Sequence, residues 1–142
     1  MFNRDMGIFH ETAYYTGMHH ASRFPSMWFL PQIAQAQQAI KDGKPSNLSK
    51  AEASYYYTKY ADMIAEDFSA EKPDVLLVWQ AKPSYLNVKF IPYFSQNKNF
   101  ARELKNYRKT GSVMLSYADY YAGTDVDDEK LNYDVIAGSS LD

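Results

Sequence analysis

The run Asp74-Val75-Leu76-Leu77-Val78-Trp79 constrains the fold more than any other stretch of the chain. It lacks the alternation of polar and apolar side chains that marks a half-exposed strand, so it reads as a strand covered on both faces. Lys72-Pro73 stops the helix before it, because the residue preceding a proline is pushed out of the α region. Gln80 to Ser84, which includes Pro83, ends it. Helical patterns lie on either side, and strand alternating with helix is the order of an α/β layer.

The upstream helix is the best defined. Ser49-Lys50-Ala51-Glu52 has the spacing of a capping box, in which serine and glutamate satisfy each other's backbone donors. Ala53, Tyr56, Tyr57, Tyr60, Ile64 and Phe68 then recur at helical spacing as an aromatic-rich stripe. An earlier helix starts at Pro31, where a missing N–H costs nothing, and stops at Gly43. Before it, Thr12 to Thr16 reads as a strand closed by Gly17, and Met18 to Pro25 as a loop. Downstream, Phe90 to Phe94 suits a short helix. Asn97 suits the cap of another, carrying Phe100, Leu104 and Tyr107 and ending in Arg108-Lys109-Thr110-Gly111. Ser112 to Ala122 and Leu131 to Ala137 form an antiparallel hairpin across an acidic turn. The expected fold is a single α/β domain over residues 1–142. It is a small layered structure with a mainly parallel sheet containing Thr12–Thr16 and Val75–Trp79, helices covering it, and a C-terminal antiparallel hairpin.

Composition narrows function by exclusion. A net charge of −2 gives no electrostatic ground for nucleic-acid binding. With no cysteine, disulfides and thiolate chemistry are excluded. The apolar run Val75 to Trp79 is far short of the ~20 residues a spanning helix needs, and Met1 to Asp5 is not followed by a leader-like apolar segment. No glycine-rich phosphate loop and no nucleophile elbow is present. His10-Glu11 and His19-His20 would lie at opposite ends of the predicted Thr12–Thr16 strand, too far apart to share a metal. Asp125-Val126-Asp127 has the look of a metal-binding carboxylate pair. It sits, however, in a run of charge typical of a solvated turn, with Lys130 where a calcium loop needs glycine. No metal, no cofactor and no catalytic residue is expected.

The strongest candidate for binding is the segment from Tyr14 to Trp28, where a predicted strand, a glycine and a loop arginine precede a helix start. That is the place at which α/β folds hold anions. Thr16, Gly17, Ser22, Arg23 and Trp28 are its candidate ligand-binding residues. The alternative is that Arg23 pairs with a carboxylate while Phe24, Trp28 and Phe29 simply pack.

The same segment, Tyr15-Thr16-Gly17 followed by Ala21-Ser22-Arg23-Phe24-Pro25-Ser26-Met27-Trp28-Phe29-Leu30-Pro31, resembles one in bacterial polytopic glycosyltransferase-like membrane proteins of the dolichyl-phosphate-mannose mannosyltransferase type. Lys72 to Val78, Phe90 to Phe94, Asn99-Phe100, Leu104 to Tyr107 and Gly111 with the tyrosine-rich strand after it follow in the same order, so that the resemblance covers roughly residues 3–121. It implies a soluble extracytoplasmic (periplasmic) C-terminal domain that follows the last membrane span. Its partner would be the membrane-spanning portion of a parent protein, together with a lipid-linked sugar or glycan. The catalytic carboxylate of such enzymes lies near the first membrane helices, which this sequence lacks, so no catalytic residue carries over. The expected function is a non-catalytic accessory domain that helps position an acceptor or lipid-linked sugar. The alternatives are an independent α/β protein binding an anionic or phosphorylated ligand, and a protein-interaction module using the 13 tyrosines.

Overall fold

The computed structural model describes residues 15–24, 27–80, 89–116 and 130–138. Helix α1 spans Leu30–Lys41 and α2 spans Lys50–Glu71. Strand β1 is Val75–Trp79, the short helices α3 and α4 are Phe90–Phe94 and Lys98–Leu104, and strands β2 and β3 are Tyr107–Ser116 and Lys130–Gly138. The predicted strand Thr12–Thr16 is corrected where it is described: Tyr15 and Thr16 are helical, while 12–14 lie outside the described residues. The histidine–glutamate pair at 10–11 and the acidic turn at 125–129 also lie outside them.

Capping chemistry sets the helix ends. Ser49 Oγ accepts from the Glu52 N–H and the Glu52 carboxylate accepts from the Ser49 N–H, the reciprocal pair expected from the sequence. At the other end Lys72 turns left-handed (φ 43), directly before Pro73, and its N–H returns to the Phe68 carbonyl. Pro31 occupies the first turn of α1, and Gly43 follows its end at φ +67, a conformation in which a side chain would be strained. Asn97 caps α4 by accepting from the N–H groups of Asn99 and Phe100.

The three strands form one sheet in the order β1-β3-β2, and both pairings are antiparallel, not parallel. The reason is topological. With β1 and β2 each antiparallel to β3, the segment α3–α4 carries the chain from β1 to a strand running the same way, which is the βαβ order the sequence suggests. The hairpin return β3 then inserts between the two. The predicted C-terminal hairpin is present where it is described, residues 117–122 of its first strand lying outside the described residues, but β2 begins at Tyr107, and α4 ends at Leu104 instead of continuing to Gly111. Tyr107 to Lys109 gain more as strand than as helix. The Lys109 ammonium reaches Asp134 Oδ1 on β3 at 2.7 Å, and Gln80 Nε2 donates to the same carboxylate at 3.0 Å from the end of β1. A register shift between Lys109 and Gly111 leaves Thr110 as the extra residue of a bulge.

Among the described residues β1 is an edge strand, and its two faces are unequal. Leu76 and Val78 are buried, whereas Val75 is 44% exposed and Leu77 half-buried. Leu76 is paired with Ile136 and faces the helices, which deliver Ile64, Phe68, Phe94 and Phe100 into one core. Phe68 stacks on Phe100 at 5.3 Å between centroids and meets Tyr107 at 4.7 Å, tying α2 to α4 and to the start of β2. The central strand of the described sheet is therefore β3, with Tyr133 fully buried.

Candidate functional site

The Arg23 loop folds back on the C-terminal half of α2. Asp67 accepts from the Arg23 backbone N–H at 2.8 Å and from its Nε at 2.6 Å, and Glu66 accepts from its terminal amine at 3.2 Å. The Asp67 hydrogen bond above all pushes the guanidinium above its ordinary pKa; desolvation opposes it, and Glu66 adds a smaller push upward. Asp67 and Glu66 are neighbours on α2 because the helix continues unbroken from its capped start. Arg23 thus pairs with carboxylates, as the alternative reading has it. Phe24 meets the edges of Phe29 and Tyr60, and Phe29 stacks on Tyr60 at 4.0 Å, so the aromatic residues around the arginine pack as well.

The remaining members of the predicted set are scattered. Thr16 and Gly17 (φ +69) belong to the exposed entry of the loop. Ser22 Oγ accepts from the Phe24 N–H, a local turn bond, and the Ser22 carbonyl accepts from His20 Nδ1–H at 2.8 Å. Trp28 stands 62% exposed with its ring edge-on to Phe29. His19, itself exposed, meets the Glu71 carboxylate at 3.1 Å. Of the five residues, Ser22 alone lines the cavity enclosed by this loop, α2 and β1, which also has walls from His19, His20, Asp67 and Leu76. That cavity measures about 70 Å³. A water occupies roughly 10–15 Å³ on such a measure, so the space suits a few waters and not a sugar ring. Among the described residues no three histidine, aspartate or glutamate side chains are placed to hold a metal.

A larger opening lies between α1 and α2, floored by Tyr93 of α3, with a volume of about 570 Å³. Helical spacing puts Gln37 and Lys41 on one face of α1, and Lys50, Ala53 and Ser54 on the facing turn of α2. Gln96 closes the far side. The floor is rigid: Tyr93 is 6% exposed, its hydroxyl donates to Gln37 Oε1 at 2.7 Å, and its carbonyl accepts from the Tyr57 hydroxyl at 3.0 Å. Burial above all, with Tyr57 adding to it, raises the Tyr93 pKa far above the usual phenol value, so the hydroxyl stays protonated and stays a donor. Sequence reading missed this site. The Gln35-Ala36-Gln37-Gln38 run was a visible signal on an otherwise apolar stripe, but the pairing with Tyr93 spans 56 residues and has no local signature.

No family model, no curated protein and no solved structure matches the chain.

Proposed function

We propose that the chain is a non-catalytic accessory domain of a membrane-embedded glycosyltransferase, lying on the extracytoplasmic face and helping to position an acceptor or a lipid-linked sugar. One observation carries the reading. Several of the residues on which the family resemblance rests belong to the scaffold: Arg23 binds α2 through Asp67, Lys72-Pro73 ends α2, Leu76 and Val78 fill the core, and Phe100 packs on Phe68. Shared positions of this kind support a likeness of architecture rather than of catalytic chemistry. Among the described residues no helix is long and apolar enough to cross a membrane, and the reading assigns the spanning portion to a parent protein.

The test is the coding sequence upstream of this chain together with an activity assay. The reading predicts several apolar segments encoded in frame before Met1, and no sugar transfer by this chain alone from a polyprenyl-phosphate sugar. An upstream stop codon with no spanning segments removes the accessory reading, and turnover by the isolated chain removes the non-catalytic one.

A further inference from the structure

The groove between α1 and α2 has a chemical character opposite to that of the chain around it. The protein has 17 acidic and 15 basic residues, yet the groove wall contains Lys41 and Lys50, three glutamines, a serine and a tyrosine, and no carboxylate. Among the described residues neither lysine is engaged in an ion pair. Asp42, the acidic residue just beyond the end of α1, accepts from Gln38 Nε2 at 2.7 Å and meets the Lys44 ammonium at 3.4 Å, so its charge is already compensated.

Gln37 is the oriented element. Because the Tyr93 hydroxyl stays protonated and donates to Oε1, the carbonyl end of the amide is fixed on the floor, and the two N–H donors of Gln37 are left for the groove. The volume of about 570 Å³ falls within the ~300–1,000 Å³ of small-ligand sites, unlike the cavity behind the Arg23 loop. The N–H donors of Gln37, and the donor and acceptor side by side on Gln96, suit sugar hydroxyls. Lysine ammonium groups suit a phosphate as point charges.

We propose that this groove binds a phosphorylated sugar, with the phosphate held by Lys41 and Lys50 and the hydroxyls read by Gln37 and Gln96. The inference deepens the accessory function and rests on it only for the source of the ligand: the shared chemistry is a sugar phosphate, either free or as the head group of a lipid-linked sugar. Glucose 1-phosphate and a short-chain polyprenyl-phosphate glucose in detergent micelles, each titrated into the labelled protein by NMR, distinguish the two sources. Glucose and inorganic phosphate serve as controls.

The expected result is saturable amide shifts on 37–41, 50–54 and 93–96 with both sugar phosphates, and weaker ones with either control. Lys41→Ala combined with Lys50→Ala should weaken binding by at least roughly ten- to a hundred-fold, the effect of losing one charge-assisted contact. Gln37→Glu keeps an acceptor for Tyr93 but places a negative charge on the wall, so the protein should fold and fail to bind. Absence of saturable shifts in the groove, or shifts that survive both sets of substitutions, overturns the inference without touching the upstream-sequence test of the accessory role. Shifts with free glucose 1-phosphate alone support the groove and remove the lipid-linked source.

Discussion

Leu76 and Val75 are adjacent in β1 and should respond in opposite ways to truncation. Leu76 is 3% exposed, pairs with Ile136, and lies against the helix-covered core. Val75 is 44% exposed on the other face. Removing three buried carbons from a packed site costs about 2–5 kcal/mol, the lost transfer energy plus the cavity left behind. A value of about 3 kcal/mol for Leu76→Ala corresponds to a fall of roughly 10 °C in Tm, at about 3–4 °C per kcal/mol for a domain of this size. Val75→Ala should stay within about 1 kcal/mol, since much of its side chain already meets solvent. Urea unfolding of both variants, followed by circular dichroism with the slope checked for constancy, measures the difference directly. Equal losses at the two positions would mean that β1 is covered on both faces, and the assignment of an open face at Val75 would fail.

Two further effects follow from single contacts. Ser49→Ala should cost about 1 kcal/mol in the same assay by removing a helix cap. Glu52, held below its usual carboxylate pKa chiefly by the Ser49 backbone N–H, contributes stability that is complete above the unfolded value of 4.5 and lost as pH falls through its lower folded value. Glu52→Gln should flatten that part of the acid profile. At the alkaline end the sign reverses: Tyr93, raised by burial, contributes stability that is complete below the unfolded value of 10.0 and lost as pH climbs toward its higher folded value. Tyr57 and Tyr107 are also raised by burial, so ultraviolet titration should show several late-ionising tyrosines, and Tyr93→Phe should remove the one that ionises last.

What the sequence disclosed was local. The capping box at Ser49, the cap at Asn97, the proline start and glycine stop of α1 and the strand at Val75 each depend on residues within a few positions of one another, and all are present. What it concealed was pairing. Nothing between Tyr107 and Gly111 signals that β3 lies alongside with Asp134 in reach of Lys109, so the basic residues there read as the end of a helix. An unbroken apolar run such as Val75–Trp79 reads as central, yet its position in the sheet depends on where β3 inserts. The same limit governs the sites. Arg23 stood out as unusual, but its partner Asp67 lies 44 residues away, and the groove needs α1, α2 and α3 together before its glutamines and lysines share a wall.

The most direct test of the claim that Arg23 is a structural link between its loop and α2 is a double-mutant cycle on Arg23 and Asp67. Arg23→Ala, Asp67→Ala and the double variant are unfolded in urea, and their stabilities compared with that of the unaltered protein. If the arginine secures the loop to α2 through the 2.6 Å contact, each single change destabilises and the double change costs less than their sum. If the losses simply add, or if Arg23→Ala leaves stability unchanged, the arginine is not a structural link and its place in the scaffold, on which the proposed function leans, is contradicted.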